Sequence, residues 1–351
     1  MKTARRNLLD LSVQLYGHYD EIADIVSYYG VLAIYALIQT AEAGDDDELL
    51  DRCRRILQRY PHEIEHPLYN FPSYRIGGVA RAYALYRGHM TDRRTRELVR
   101  EYAEEMMEAP RDEQSLLTNP HHPEQNRAWV DVAMAATPYL LFAGLGLSVQ
   151  AYVEEAARQA FLHYEVFRDP DNGLLHQCRN FPNAPHITPD HWGRGQAWGY
   201  LALTELVAHL PEDSPHRSQA EGYFRDLSGA LLPHQSSRGL WRQEVPEPTA
   251  WEESSGTALI LYGFGVGMRI GLLGEVQFAD AFDKGISGLL DHCIEPDGTT
   301  HLCCPGCCCP GRGERRGTVV AYIEDKSPVD DDPHGFGPLI LALVEAARRE
   351  R

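Results

Sequence analysis

The sequence predicts an all-α protein, an (α/α)6 barrel built as a six-hairpin toroid, and three observations point there. Helical periodicity runs through most of the 351 residues while strand-like alternation is nearly absent. Breakers cut the periodic stretches into about a dozen helices. The connections alternate between short ones near residues 44, 89, 145, 212 and 274 and long ones rich in Pro, His and Gly at 60–73, 109–127, 167–193, 233–254 and 293–334. Short links make antiparallel hairpins, so the long links all emerge on one face.

In chain order, a first helix is expected over 3–17. Helices over 20–43 and 46–59 part at Gly44 and its Asp run, and those over 74–88 and 91–108 part at Thr91-Asp92. Helices 128–144 and 148–166 are separated by Gly144 to Ser148, and 194–210 and 214–232 by Pro211 to Ser214. Helices 255–273 and 275–292 part at Gly271 to Gly274, and 335–349 closes the chain. About six such hairpins close into a double ring whose inner helices start at the long-loop face, where their partial positive charges suit an anionic ligand. No linker divides the chain, so residues 1–351 are expected to form a single barrel domain.

Composition narrows the function. A hydrophobic content of 43% is that of a globular protein, and a net charge of −18 argues against nucleic acid and an anionic membrane surface as partners. The N-terminus reaches Asp10 before any signal-like apolar core, and no run approaches the roughly 18 apolar residues of a span. A cytoplasmic protein, monomer or homodimer, is expected. Five of the eight cysteines crowd into Cys303 to Cys309, which suits reduced thiols better than a disulfide framework.

Several motifs carry less than they promise. His62-Glu63-Ile64-Glu65-His66 has the zinc-protease spacing, but Pro61 and Pro67 bracket it and leave no stable helix. Cys304-Pro305-Gly306-Cys307 lacks a second ligand pair. Gly263, Gly265 and Gly267 lie inside a predicted helix and serve packing. No metal and no cofactor are expected.

Chemistry concentrates elsewhere. From Ala128 to Val153 the only charged side chain is Asp131. A lone carboxylate in an apolar wall is either a satisfied cap or a tuned acid/base. Trp192, Arg194 and Trp198, in DHWGRGQAW, offer aromatic faces around a guanidinium able to grip a carboxylate, while Gly193 and Gly195 relieve crowding at the helix start. In DNGLLH a turn delivers His176 to the same face. Glu253, followed by the capping candidates Ser254 and Ser255, opens the tenth helix, and His334 lies at the start of the last. Asp131, Arg194, Glu253 and His334 thus share one structural level, which favours the acid/base reading of Asp131.

In order, WVDVAMAATPYL, DNGLLH, HWGRGQAWGYLAL, EESSGTALILYGFGVGMRIG and DDPHGFGPLILAL resemble the unsaturated glucuronyl and rhamnogalacturonyl hydrolases, glycoside hydrolase families 88 and 105. The resemblance is good over residues 125 to 349 and loose before that. It implies a six-hairpin α/α barrel that hydrates the vinyl ether of a 4,5-unsaturated uronate at the non-reducing end of an oligosaccharide. Asp131 matches the aspartate that protonates carbon 4 and helps water attack carbon 5. By the same resemblance Arg194 and His176 contact substrate, Trp192, Trp198 and Trp129 line the sugar site, and His334 lies at its rim. Tyr28 or Tyr29 supplies a stacking ring. One departure stands out: residues 71–78 lack the family's further aspartate, with Ser73 or Tyr74 nearest and Arg75 as a replacement contact. The rivals are a glycosidase of saturated uronides using Glu253 as second acid, a sugar 2-epimerase, and a non-catalytic oligosaccharide-binding toroid.

Overall fold

The computed structural model describes residues 2–23, 27–59, 71–75, 77–118, 122–181, 184–306 and 310–350. Both the His62–His66 stretch and Cys307 to Cys309 fall outside them. The described helices are α1 (Lys2–Ile22), α2 (Tyr28–Gly44), α3 (Asp47–Arg59), α4 (Gly78–Tyr86), α5 (Arg93–Glu108), α6 (Asp131–Leu147), α7 (Gln150–Phe167), α8 (Gly193–His209), α9 (Arg217–Leu231), α10 (Ser254–Arg269), α11 (Glu275–His292), α12 (Val319–Glu324) and α13 (Pro333–Arg349).

Burial pattern divides them into two rings. In α6 and α10 nearly every residue is buried, as expected of helices enclosed on all sides. By contrast α3 buries only Leu49, Leu50, Cys53, Ile56 and Leu57, one stripe at helical spacing. The inner helices pack in the cycle α2, α4, α6, α8, α10, α13 and back to α2. Outside, α3, α5, α7, α9 and α11 each cover their hairpin partner, and α1 covers α13. The two ends of the chain therefore form the sixth hairpin of an (α/α)6 toroid.

Inner helices can approach closely because glycine lines their contacts. A Cβ on Gly263 would lie 2.2 Å from the Tyr200 ring, and one on Gly193 would lie 2.5 Å from the Arg242 carbonyl. Gly193→Ala therefore has to push a helix start against backbone, and overpacking of this kind costs about 1–3 kcal/mol. Thermal melts of this variant are expected to show a lowered midpoint; an unchanged midpoint would mean that the α8 start has slack.

Several boundaries differ from those expected. Helix α1 runs through Gly17 to Ile22, because a glycine on an open helix face costs too little to end it. Helix α2 then starts at Tyr28, where the Ser27 hydroxyl caps Gly30 N–H. Residues 72–74 form a 3-10 turn, and α4 waits for Gly77 and Gly78, both at positive φ. Five strands were not foreseen: β1 (Ala128–Trp129), β2 (Cys178–Phe181), β3 (Ala184–Ile187), β4 (Trp241–Arg242) and β5 (Glu252–Glu253). At two to four residues they are too short for alternation to register. They pair in the order β1-β2-β3, with Ala128 opposite Arg179 and Trp129 opposite Cys178, and β4 with β5. These ladders hold the long loops over the inner-helix starts.

At the short-loop end a polar network spans the ring. Glu345 pairs with Arg269 at 2.9 Å and with Arg348, Arg348 donates to Gln39 at 2.8 Å, and Tyr262 donates to Glu205 at 2.9 Å. Among the described residues no helix is long and apolar enough to cross a membrane.

Candidate active site

The six inner helices start at Tyr28, Gly78, Asp131, Gly193, Ser254 and Pro333. Around this rim fall Tyr28, Tyr74, Asp131, Arg194, Glu253 and His334, so the shared level read from loop lengths is the level at which the toroid places them.

Asp131 follows directly on β1 and Val130, whose N–H donates to the Gln177 carbonyl at 2.9 Å. The helix N-cap position is Val130, whose apolar side chain makes no capping bond, and Asp131 is the first residue of the helix. Its Oδ2 is buried without a hydrogen-bond partner, and burial pushes the carboxyl up from 3.8 to about 6. A hydrogen bond from its own backbone N–H and the Arg194 charge pull the other way and are outweighed. The pKa is raised although a cation is close, because desolvation outweighs the Arg194 charge.

Arg194 is 1% exposed. Its Nη1 donates to the Cys304 carbonyl and lies 3.4 Å from Ser255 Oγ, its Nε has no partner, and its Cζ stands 5.0 Å over the Trp192 ring. Trp192 donates its indole N–H to Cys304 Sγ at 3.0 Å, and burial pushes that thiol up to about 12. Cys304 therefore meets Arg194 and Trp192 as a neutral thiol. Trp198 lies buried one turn deeper in α8, and the buried Trp129 packs edge-on to Phe71 and Phe181. Only Trp192 of the two α8 tryptophans stacks on the guanidinium among the described residues.

Glu253 is fully buried and is itself the N-cap of α10, accepting from Gly256 N–H and the Ser255 hydroxyl, both at 2.6 Å. The capping role expected of Ser254 and Ser255 belongs to the residue before them. Burial raises the Glu253 pKa, and Ser255, Arg194 and Gly256 only partly offset it.

Across the mouth, the Tyr28 hydroxyl bonds His334 Nε2, and His334 Nδ1 lies 2.5 Å from Asp332 Oδ1. Burial favours the Asp332 acid, but the His334 hydrogen bonds outweigh it and hold Asp332 below its usual range. An ionised Asp332 fixes the proton on Nδ1, so Tyr28 donates to Nε2. Tyr28 also stacks near Tyr74, with ring centroids 5.3 Å apart, and Tyr29 lies 5.0 Å from His334. Tyr74 feels the charges of Tyr28 and Asp131, after burial, and is held well above an ordinary phenol.

Two expected contacts sit elsewhere. Arg75 turns its guanidinium to the outer helix α5, pairing with Glu105 at 2.9 Å and lying over Tyr102, so it is spent on scaffold rather than on a substrate. His176 belongs to a separate group with Asp169 and His191. Sequence reasoning missed Asp332 as the partner of His334, although the acid two residues before a helix-start histidine was a readable signal. It also missed the contact of Arg194 with Cys304, which pairs residues 110 positions apart.

A toroid whose inner-helix starts surround one raised, unpartnered carboxylic acid beside a buried arginine defines a helical-barrel hydrolase of carbohydrates. The chain belongs to glycosyl hydrolase family 88, whose family model matches residues 15–350. It is 25% identical over 278 residues to the unsaturated rhamnogalacturonyl hydrolase YesR of Bacillus subtilis, covering 77% of this chain and 76% of the relative. An unsaturated 3S-rhamnoglycuronyl hydrolase of Formosa agariphila is 26% identical over 180 residues, 48% of each chain. In fold the chain is similar to a possible family 105 glycoside hydrolase from Klebsiella pneumoniae, with a TM-score of 0.82 at 21% identity, covering 99% of this chain and 94% of the other. It is also similar to the unsaturated glucuronyl hydrolase of Bacillus sp. GL1, with a TM-score of 0.65 at 17% identity and 100% and 97% coverage.

Proposed function

We propose that this glycoside hydrolase removes a 4,5-unsaturated uronic acid from the non-reducing end of lyase-generated oligosaccharides by hydrating its vinyl ether. The observation that carries the reading is the Asp131 carboxyl, raised to about 6 with Oδ2 unpartnered at the mouth of the ring. Protonated Asp131 gives its proton to carbon 4, and the positive charge that develops at carbon 5 is shared with the ring oxygen. The resulting carboxylate takes a proton from water as the water oxygen bonds to carbon 5. The hemiketal then opens and releases the neighbouring sugar. Arg194 supplies positive charge at the same level for the uronate carboxylate, through the field it already exerts on Asp131, Tyr28 and Asp332. Trp192 holds the guanidinium plane, and Tyr28, oriented by His334, gives the sugar a stacking face.

The saturated-uronide reading needs a second acid across the scissile bond, and Glu253 is its candidate. Both Glu253 oxygens are already occupied by the α10 start, which favours the single-acid reaction. The relatives named above act on unsaturated rhamnose-containing glycuronides by their names, so unsaturated uronyl–rhamnose disaccharides are the first substrates to try. Loss of the ultraviolet absorbance of the conjugated double bond on incubation with them is the expected result. No loss with these or with pectin, ulvan, arabinogalactan and glycosaminoglycan lyase digests would overturn the proposal. Cys53, Cys293, Cys303 and Cys304 are free thiols, which supports a reducing compartment such as the cytoplasm.

A further inference from the structure

A second cluster lies in the connection from α7 to α8, and the proposed reaction does not use it as a unit. Ligand atoms of Asp169, His176 and His191 all lie within 4.8 Å of one another. Asp169 Oδ2 is 3.0 Å from His191 Nε2 and 3.8 Å from His176 Nε2, and the two imidazoles face each other at 4.8 Å, tilted by 37°. The 3.0 and 3.8 Å separations from the carboxylate oxygen to the two imidazole nitrogens bracket the roughly 3.3 Å edge of a tetrahedron with bonds of about 2 Å, the geometry of zinc sites. We propose that Asp169, His176 and His191 form a site for a divalent transition-metal ion of the zinc type, with the fourth position left to water.

The donors are held in place by the loop itself. Asp169 Oδ1 accepts from Asp171 N–H at 2.9 Å, Asn172 Nδ2 donates to Oδ2 at 3.0 Å, and Gly173 N–H returns to the Asp169 carbonyl at 2.9 Å. His176 N–H is tied to the Phe167 carbonyl at 2.8 Å, and His191 N–H to Glu244 Oε1 at 2.7 Å. Little chain entropy is left to lose on binding, which is what a preformed site needs. Behind His191, Glu244 Oε1 stands 3.7 Å from Nδ1, longer than a hydrogen bond but close enough to favour the ring form that carries its proton on Nδ1 and leaves Nε2 to a metal.

Charge points the same way. Glu244 is 1% exposed and its Oε2 has no hydrogen-bond partner. Asp169 and Glu244 together bring two negative charges to two imidazoles, and one divalent cation bound to neutral rings balances them. A mixed nitrogen and oxygen set selects zinc, cobalt or nickel over magnesium and calcium. The competing arrangement is a protonated His191 bridging the two carboxylates with no ion.

The test uses untagged, chelator-stripped, full-length protein titrated with zinc chloride, cobalt chloride and magnesium chloride by calorimetry and visible absorption. One zinc ion per chain, the intense visible band of tetrahedral cobalt, and no magnesium heat are expected. His191→Asn and Asp169→Asn should each weaken zinc binding by about 100-fold with an unchanged circular dichroism spectrum, and Glu244→Gln by about tenfold. No stoichiometric zinc binding by the unaltered protein, or equal affinity in a folded His191→Asn, would overturn the site. Should both variants fail to fold, the cobalt spectrum of the unaltered protein decides, since the ion-free bridge gives no tetrahedral band. The readout is binding, so it stands or falls independently of hydrolysis.

Discussion

Asp131→Asn is expected to abolish turnover and, above pH 6, to make the protein more stable. Losing the general acid costs about 10²–10⁴-fold in rate. The stability effect follows from the raised carboxyl, 3.8 in its ordinary state and about 6 in the fold. A raised acid binds its proton more tightly when folded, so its penalty is absent below the ordinary value, grows as pH rises between the two, and is complete above the folded one. Complete ionisation then costs about 3 kcal/mol. An asparagine avoids that cost but brings its own buried amide, so a gain of about 1–3 kcal/mol is expected at pH 8 and close to none at pH 4. Urea melts of both proteins at the two pH values measure it. For the unaltered enzyme, kcat/KM should fall as pH rises past about 6, because that ratio reports the free enzyme's acid. A variant that keeps its rate within about tenfold of the unaltered enzyme, or whose gain at pH 8 equals that at pH 4, would remove Asp131 from the mechanism.

The ring was legible because it depends on long, strong signals. Alternating loop lengths gave the hairpins and marked as inner the helices that start at the long-loop face, such as α6 and α10. Asp131 was legible for the same reason, a single charge in an apolar run. The site's electrostatics were not, since pairs such as Arg194 with Cys304 and Tyr28 with His334 join residues 110 and 306 positions apart. Only the closed ring makes them neighbours. Arg75 shows the converse: its place beside the fourth helix suggested a substrate contact, yet it follows a 3-10 turn at Pro72–Tyr74 and pairs with Glu105 of α5. The short strands left no alternation to find, although they set where the inner helices begin. The cluster of Asp169, His176 and His191 was hidden because its members look like ordinary loop residues until the Arg168–Leu175 and Trp192–Glu244 bridges bring them together.

Glu253 separates the two hydrolytic readings through stability and activity together. Glu253→Ala removes the α10 cap, strands the Gly256 N–H and the Ser255 hydroxyl in a dry interior, and takes a counter-charge from Arg194. Breaking a buried charged partner in this way costs about 3–5 kcal/mol, enough to unfold much of a marginally stable protein. Glu253→Gln keeps the shape, and its amide oxygen still accepts from Gly256, so the loss should be about 1–2 kcal/mol. If Glu253 is structural, folded Glu253→Gln retains kcat/KM for unsaturated substrate within about tenfold, the worth of one hydrogen bond. If it were the second acid of an ordinary glycosidase, the same variant would lose about 10²–10⁴-fold while melting almost normally. Melting curves and turnover on the same preparations distinguish the two. The structure argues for the first, because Glu253 is fully buried and each of its oxygens already accepts a hydrogen bond from the start of α10.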